Sequence, residues 1–388
     1  MPVSRLPGMM LRATLLCSMV LLQACATSGA LSVARDQFRH GSAQEALQTL
    51  SEAHVSRRDR LLLYLDRGLV AQAAGEFSTS IAAFDSALRL VDELDYVSLR
   101  DQSSALLTSD WATRYSGEYS ERLWIHTFQM LNFLLINDPQ SAAVEARRAV
   151  AIYDEHGDIL KQDVFTRAVM ALSFAAAGQN DSASVEYRRL QEDFGTSLER
   201  PLGRDESELV LFVASGFIQP KLPGDLFIDI NARISFPYYP EAISQRPVIR
   251  IEQDGEALSL IRSDTQLLRL SSESLAERGK RIAARQALRV ATKYSVSEAI
   301  SEQDELAGGI AKLIFLALEQ ADTRSWETLP AWLTLIRTPL PPGSHTLQLQ
   351  ISEGGIAPGG VTQRRTLQLD LPPGQRYFKM IRPGVGTD

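Results

Sequence analysis

Residues 68–87 read GLVAQAAGEFSTSIAAFDSA, and the spacing Gly68-x2-Ala71-x3-Gly75-x4-Ser80-x3-Phe84-x2-Ala87 decides the first half of the fold. The same pattern stands earlier as Ala34-x3-Phe38-x2-Gly41-x4-Ala46-x3-Leu50-x2-Ala53, which puts Gly41 and Gly75 34 residues apart. Small and apolar residues at helical spacing on both sides of each glycine predict two helices joined by a tight turn. Gly41 and Gly75 end the first helix of each pair, because a left-handed cap is sterically free only for glycine. Small residues at Gly68, Ala46 and Ala87 let the paired helices approach closely. Leu50 and Phe84 fill the space between them.

Two looser units follow. Asn137 takes the turn position ahead of Ala142 and Ala146, and Gly178 takes it ahead of Ala183 and Tyr187. The steps lengthen to 62 and 41 residues, so the array is interrupted. The extra residues fall at about 90–120, around Asp110-Trp111 and Tyr115-Ser116-Gly117-Glu118. The period and pattern resemble the tetratricopeptide repeat, although a generic bundle of helical hairpins would also carry them. One unit cannot bury its apolar face alone, so neighbours stack into a curved array with a concave side. The resemblance implies that Leu62, Leu65, Leu69, Trp124, Leu131, Leu134, Phe165 and Leu172 line that side as a partner-binding groove. The face is apolar, and an apolar groove is expected to be filled by the chain itself or by a partner. The segment at 90–120 is long enough to cross it, which would set Trp111 or Tyr115 against Leu131, Leu134 or Phe165.

Residues 1–24 read as an export signal. Arg5 and Arg12 give a positive start, and Leu15–Leu22 (LLCSMVLL) an apolar core. That core falls short of the roughly 20 apolar residues a spanning helix needs. Leu22-Gln23-Ala24-Cys25 resembles the lipobox of bacterial lipoproteins, although an ordinary cleaved signal could also end this way. The resemblance implies that the sulfur of Cys25 takes a diacylglycerol thioether, that cleavage precedes it, and that the new amino group is acylated. Ala26, where Asp would favour inner-membrane retention, implies the outer membrane. Several acyl chains on one residue anchor firmly, at about 0.8 kcal/mol per buried methylene.

Residues 1–24 hold two basic and no acidic side chains, so the remainder carries 38 basic and 47 acidic, net −9. An acidic balance argues against a nucleic-acid partner. Cys17 leaves with the signal, and Cys25 is then the sole cysteine. That excludes a disulfide framework and a thiolate metal site.

A boundary is expected near Pro201-Leu202-Gly203, dividing a repeat domain over 25–200 from a second domain over 201–388. Leu209–Ala214 and Phe227–Ile230 are apolar runs of strand length. Pro247–Gln253 alternates and ends at the turn Asp254-Gly255. Helices are expected from Glu273 to about Ile300 and from Leu306 to Ala321. The first carries a basic stripe at Arg281, Arg285, Arg289 and Lys293, one residue per turn. Further strands are expected at Leu333–Arg337, Thr346–Ile351, Thr366–Leu371 and Tyr377–Ile381, separated by Pro341-Pro342-Gly343 and Pro372-Pro373-Gly374. The reading is α+β: a repeat-like helical array, then a helix pair on a small antiparallel sandwich-like sheet.

Three further stretches carry a resemblance: Tyr115–Arg122 (YSGEYSER), Val144–Arg148 (VEARR) and Ala321–Pro330 (ADTRSWETLP). Together they resemble a family of uncharacterised periplasmic tetratricopeptide lipoproteins of Gram-negative bacteria. Asn137 departs from the glycine usual at its turn. The family has no established enzymatic activity, and the resemblance implies scaffold or adaptor work on other envelope proteins. Peptidoglycan or glycan binding, or an undetected glycan-active enzyme, is the alternative.

The residues themselves point away from catalysis. No His-Glu-x-x-His, phosphate loop, dinucleotide fingerprint or Gly-x-Ser-x-Gly elbow occurs, so no enzyme activity, metal or cofactor is expected. The histidines His40, His54, His126, His156 and His345 are scattered. His126, among apolar helical residues, reads as a core or rim histidine. Glu118 and Glu121 could be an acid–base pair, but caps and ion pairs to Arg122 or Arg147 are the plainer reading. Asp322, Arg324 and Trp326 read as a junction clamp, a buried indole beside an ion pair.

Overall fold

The computed structural model describes residues 29–100, 114–196, 198–229, 232–241, 245–277, 279, 320–354 and 362–385. The N-terminal half is helical: α1 (29–39), α2 (Ala43–Glu52), α3 (Arg60–Ala73), α4 (Phe77–Arg100), α5 (Tyr119–Leu135), α6 (Pro139–Leu160), α7 (Val164–Ala176) and α8 (Asn180–Phe194). The helices form four helix-turn-helix units, and each turn holds one left-handed residue. These are Gly41 (φ 92°), Gly75 (φ 80°), Asn137 (φ 59°) and Gly178 (φ 73°).

All four turns carry the same hydrogen bonds. The residue after the left-handed one donates to the carbonyl five back: Ser42 to Gln37 (3.0 Å), Glu76 to Ala71 (2.9 Å), Asp138 to Phe133 (2.8 Å) and Gln179 to Phe174 (2.9 Å). The left-handed residue donates three back, at 3.0, 3.1, 3.1 and 3.2 Å in the same order. This pair of bonds satisfies carbonyls that a helix end would otherwise leave open. Gly68 faces Phe84 so closely that a Cβ there would lie 2.5 Å from Cε1 of the ring. The small residue at 68 is what admits the aromatic at 84.

The C-terminal half adds β1 (Ser207–Ser215), β2 (Leu222–Asp229), β3 (Ala232–Tyr238), β4 (Val248–Gln253), β5 (Glu256–Ala257), β6 (Ile261–Gln266), helix α9 (267–277), β7 (Trp332–Leu340), β8 (Gly343–Ser352), β9 (Thr362–Leu371) and β10 (Arg376–Ile381). The first sheet has the order β10-β1-β7-β6, the second β5-β4-β8-β9, and β2–β3 form a separate antiparallel ribbon. The fold is mixed α+β.

The all-antiparallel expectation is corrected at one place, since β10 lies parallel to β1. The reason is connectivity. Pro341-Pro342-Gly343 carries the chain from β7 in the first sheet to β8 in the second, and Pro372-Pro373-Gly374 carries it back from β9 to β10. Neither Pro-Pro-Gly closes a simple hairpin within one sheet. Asp254 (φ 52°) and Gly255 (φ 84°) form the tight turn expected there. The sequence reading missed β3, β5 and β6. Helix α9 starts before the expected Glu273. The remainder of that helix with its basic stripe, and residues 306–319 of the next, lie outside the described residues.

The first sheet is covered on both faces. Leu209, Leu211, Val213, Ile336 and Ile381 pack toward the second sheet's Ile249, Ile251, Leu347, Leu349 and Leu369. Val210, Phe212, Ala214, Leu333 and Leu335 turn the other way and join the core of the helices. This explains why Leu209–Ala214 within β1 reads as an unbroken apolar run, buried at every position. The boundary expected near Pro201 falls between α8 and β1, yet one apolar core crosses it, from Leu31 to Val385.

Candidate functional site

Leu62, Leu65, Leu69, Trp124, Leu131, Leu134, Phe165 and Leu172, the residues expected to line a partner groove, are all buried. They share one apolar core with residues of the C-terminal half, which packs on α5 and α7. Phe165 meets Phe212 of β1 edge to face at 6.2 Å, and its N–H donates to Thr265 Oγ1 of β6 at 2.9 Å. The Trp326 indole stands edge-on to Phe84 (5.8 Å) and Phe128 (5.6 Å). The expected partner groove is therefore an internal interface. Among the described residues its occupants are the first sheet and the 321–330 segment; of the 90–120 stretch expected there, 101–113 lie outside the described residues. Trp111 lies outside the described residues, and Tyr115 is held elsewhere, its N–H donating to Arg58 O at 2.9 Å.

Two of the sequence stretches singled out above, Tyr115–Arg122 and Ala321–Pro330, meet at this interface. Glu121, on the first turn of α5, is the hub. Its Oε1 accepts the Trp326 backbone N–H at 3.0 Å. Its Oε2 accepts the Glu118 N–H at 2.8 Å and the Tyr115 hydroxyl. Burial pushes the Glu121 carboxyl above its ordinary range, with Lys221 opposing. Glu118 accepts from Lys221 Nζ at 2.6 Å, both side chains at most 5% exposed. The expected ion pairs to Arg122 or Arg147 are thus corrected. Arg122 bonds Asp95 (2.7 Å), and Arg147 donates to Gln179 (2.9 Å). Lys221, just before β2, also lies over the Tyr115 and Tyr239 rings, at 6.0 and 5.6 Å.

The Asp322–Arg324–Trp326 clamp is present. Arg324 donates to Asp322 through Nε (2.7 Å) and Nη2 (2.8 Å), then reaches Arg58 O (3.1 Å) and Asp59 (3.3 Å) of the helical half. Trp326 Nε1 donates to Thr328 Oγ1 (2.9 Å), and that hydroxyl donates to Asp66 (2.9 Å). Asp66 also accepts from Arg35 Nε (2.7 Å), while Arg35 and Arg39 bind Glu327 at 2.7 and 2.9 Å. Burial raises the Asp66 carboxyl, against the pull of Arg35. Sequence reasoning missed Arg35, Asp66, Lys221 and Glu327. The available signal was Asp66, a lone carboxylate among the inward leucines of α3.

The third stretch stands apart. His126 is buried, its Nδ1 2.7 Å from Glu145, which also binds Arg148 (2.7 Å). No family model, curated protein or solved structure matches the chain. Among the described residues, no group of His, Cys, Asp and Glu side chains is placed to hold a metal ion, and no helix is long and apolar enough to cross a membrane. Cys25 lies outside them.

Chemically, the junction is a closed latch. Its carboxylates face donors already fixed in place, and Glu118, Glu121 and Asp66 are each at most 4% exposed. The arrangement cross-links the two halves of the chain.

Proposed function

We propose that this chain is a lipid-anchored lipoprotein on the periplasmic face of the outer membrane, a tetratricopeptide-like scaffold that binds other envelope proteins. The observation that carries this reading is the fourfold recurrence of one capped turn at Gly41, Gly75, Asn137 and Gly178. Such recurrence supports a repeat array, and the lipobox-like Leu22–Cys25 supports a membrane tether. The array's apolar face is occupied from within, so partners meet the outer surface. The β2–β3 ribbon offers apolar side chains there. Leu222, Phe236 and Tyr238 are 39–42% exposed, and Leu222 pairs directly with Tyr238. We read the protein as non-enzymatic, its closed polar junction serving rigidity.

Palmitate labelling and in-cell crosslinking test this together. Wild type should take up labelled palmitate, and Cys25→Ser should lose the label and leave the membrane. A photo-crosslinker at Tyr238 should capture an envelope protein, whereas one at Leu131 should give only internal crosslinks. Palmitate uptake by Cys25→Ser, or a partner captured at Leu131, would refute the corresponding half of the proposal.

A further inference from the structure

β10 is an outer strand of the first sheet, parallel to β1. The Glu208 N–H donates to Gln375 O at 3.2 Å, which fixes the direction of every backbone group after it. Along a strand the N–H and C=O groups turn to alternate sides. Gln375, Tyr377 and Lys379 therefore turn theirs toward β1, and Arg376, Phe378 and Met380 turn theirs outward. Among the described residues no strand pairs with that outer edge. An unpaired edge is a template for another extended chain.

A cleft of about 750 Å³ is lined by Gln375, Arg376 and Phe378 together with the end of α5, the end of α7 and the start of α8. The helices contribute Leu134, Ala175, Ala176 and Ala183, an apolar wall whose alanines leave room for incoming side chains. Asn137, Asn180 and Gln375 are exposed beside it, and their carboxamides hold no hydrogen bond among the described residues. A carboxamide both donates and accepts, as a peptide unit does. Charge selects neither sign. Glu199 and Arg200 line the cleft together, and the Arg376 guanidinium is engaged by Glu208 at 2.8 Å and Arg200 O at 3.1 Å.

We propose that this cleft receives an extended peptide segment of a partner protein, added as a further strand on the outer edge of β10. The six residues of β10 offer an edge about 20 Å long. The open N–H and C=O groups of Arg376 and Phe378 bond the segment's main chain, and its alternate apolar side chains pack on Leu134 and the alanines. Main-chain bonds give such binding its affinity and the wall its selectivity. The inference goes beyond the scaffold reading. It needs neither the lipid anchor nor the β2–β3 ribbon, and either can fail alone.

The test pans a phage-displayed library of random decapeptides against the full-length protein, then titrates the most enriched peptide by fluorescence anisotropy. Enriched sequences should alternate apolar and polar residues. Phe378→Pro and Phe378→Val both lose the ring, but only proline removes the outward N–H, and the ladder to β1 survives either change. The proline variant should bind about tenfold more weakly than the valine variant. Should it unfold, amide exchange on the wild type decides. The Arg376 and Phe378 amides should exchange faster than those of Tyr377 and Lys379 in the free protein, and slow when the peptide binds. The inference is overturned if no sequence is enriched, if the two variants bind alike, or if the Arg376 and Phe378 amides are already protected without peptide. It is equally overturned if the free protein is a dimer that Phe378→Pro dissociates, since the edge then belongs to a second copy.

Discussion

Glu121 and Trp326 stand 205 residues apart in the chain, yet a single hydrogen bond of 3.0 Å joins the carboxylate of one to the backbone N–H of the other. The bond runs from the first turn of α5 into the 321–330 segment, which packs on the helical half. A backbone donor cannot rotate away as a side chain can. This contact therefore fixes where the 321–330 segment lies, not merely whether it docks.

Removing the hub should be costly. Glu121→Ala strips an acceptor from the N–H groups of Trp326 and Glu118 and from the Tyr115 hydroxyl, all buried. Each orphaned donor costs about 1–3 kcal/mol, so a loss of roughly 3 kcal/mol or more is expected. Urea unfolding of the variant measures it, and a change under 1 kcal/mol would show the hub to be dispensable.

The same residue should leave a mark on pH dependence. Burial holds the Glu121 carboxyl above its ordinary value of 4.5. A raised carboxyl keeps its proton more tightly folded than unfolded. Its contribution to stability is then full below the unfolded value and declines as pH rises through the folded one. Glu121→Gln abolishes this titration. The melting temperature of wild type minus that of Glu121→Gln should fall as pH climbs above 4.5, and a flat difference would contradict the assignment.

Trp326 is fully buried between Phe84 and Phe128. Trp326→Ala empties an indole-sized space, at about 3–5 kcal/mol. Because the space lies between the halves, limited proteolysis should then cut near Pro201 faster than in wild type. An unchanged digestion pattern would argue that the sheet alone holds the halves together.

Asn137 offers a finer test of the turn geometry. At φ 59° it occupies a conformation that Asn tolerates and a β-branched residue does not. Asn137→Val should destabilise by about 1–2 kcal/mol, and Asn137→Gly should be neutral or slightly stabilising. Thermal melts of the pair decide it, and equal losses would be inconsistent with the turn.

Glu208 and Arg337 form a fully buried bidentate pair at 2.9 Å, with Arg376 on the same carboxylate at 2.8 Å. Glu208→Gln leaves two guanidiniums facing a neutral amide. A loss of about 3–5 kcal/mol is expected in chemical denaturation. Arg337 also donates to the Leu198 and Arg200 carbonyls, and near-neutral behaviour would mean that these suffice.

Much of this architecture was legible in the residues. The turns at Gly41, Gly75, Asn137 and Gly178 follow from steric rules that act within six residues, so spacing alone exposes them. The strands β1, β4, β7, β8, β9 and β10 announce themselves by apolar runs or alternation. β6 did not, because this edge strand carries Arg262 and Asp264, which bond each other at 2.7 Å and so need no apolar face. The parallel placement of β10 was illegible for a different reason. A strand's own residues say that it pairs, not with which neighbour or in which direction. The occupant of the apolar groove was hidden likewise. Phe84, Phe128 and Phe165 require cover, but nothing local says that it comes from Trp326 and Phe212. Asp66 and Arg35 were passed over because a lone charge on a helix reads as solvated until its partners, hundreds of residues away, are placed.

The close approach of Gly41 to the far end of the chain has a steric consequence. A Cβ on Gly41 would stand 2.7 Å from the carbonyl oxygen of Gly384. The Gly384 backbone therefore seats directly on the first turn between helices, where no side chain stands in its way. Any residue larger than glycine at 41 would act as a wedge, prising the segment after β10 off the first helical hairpin.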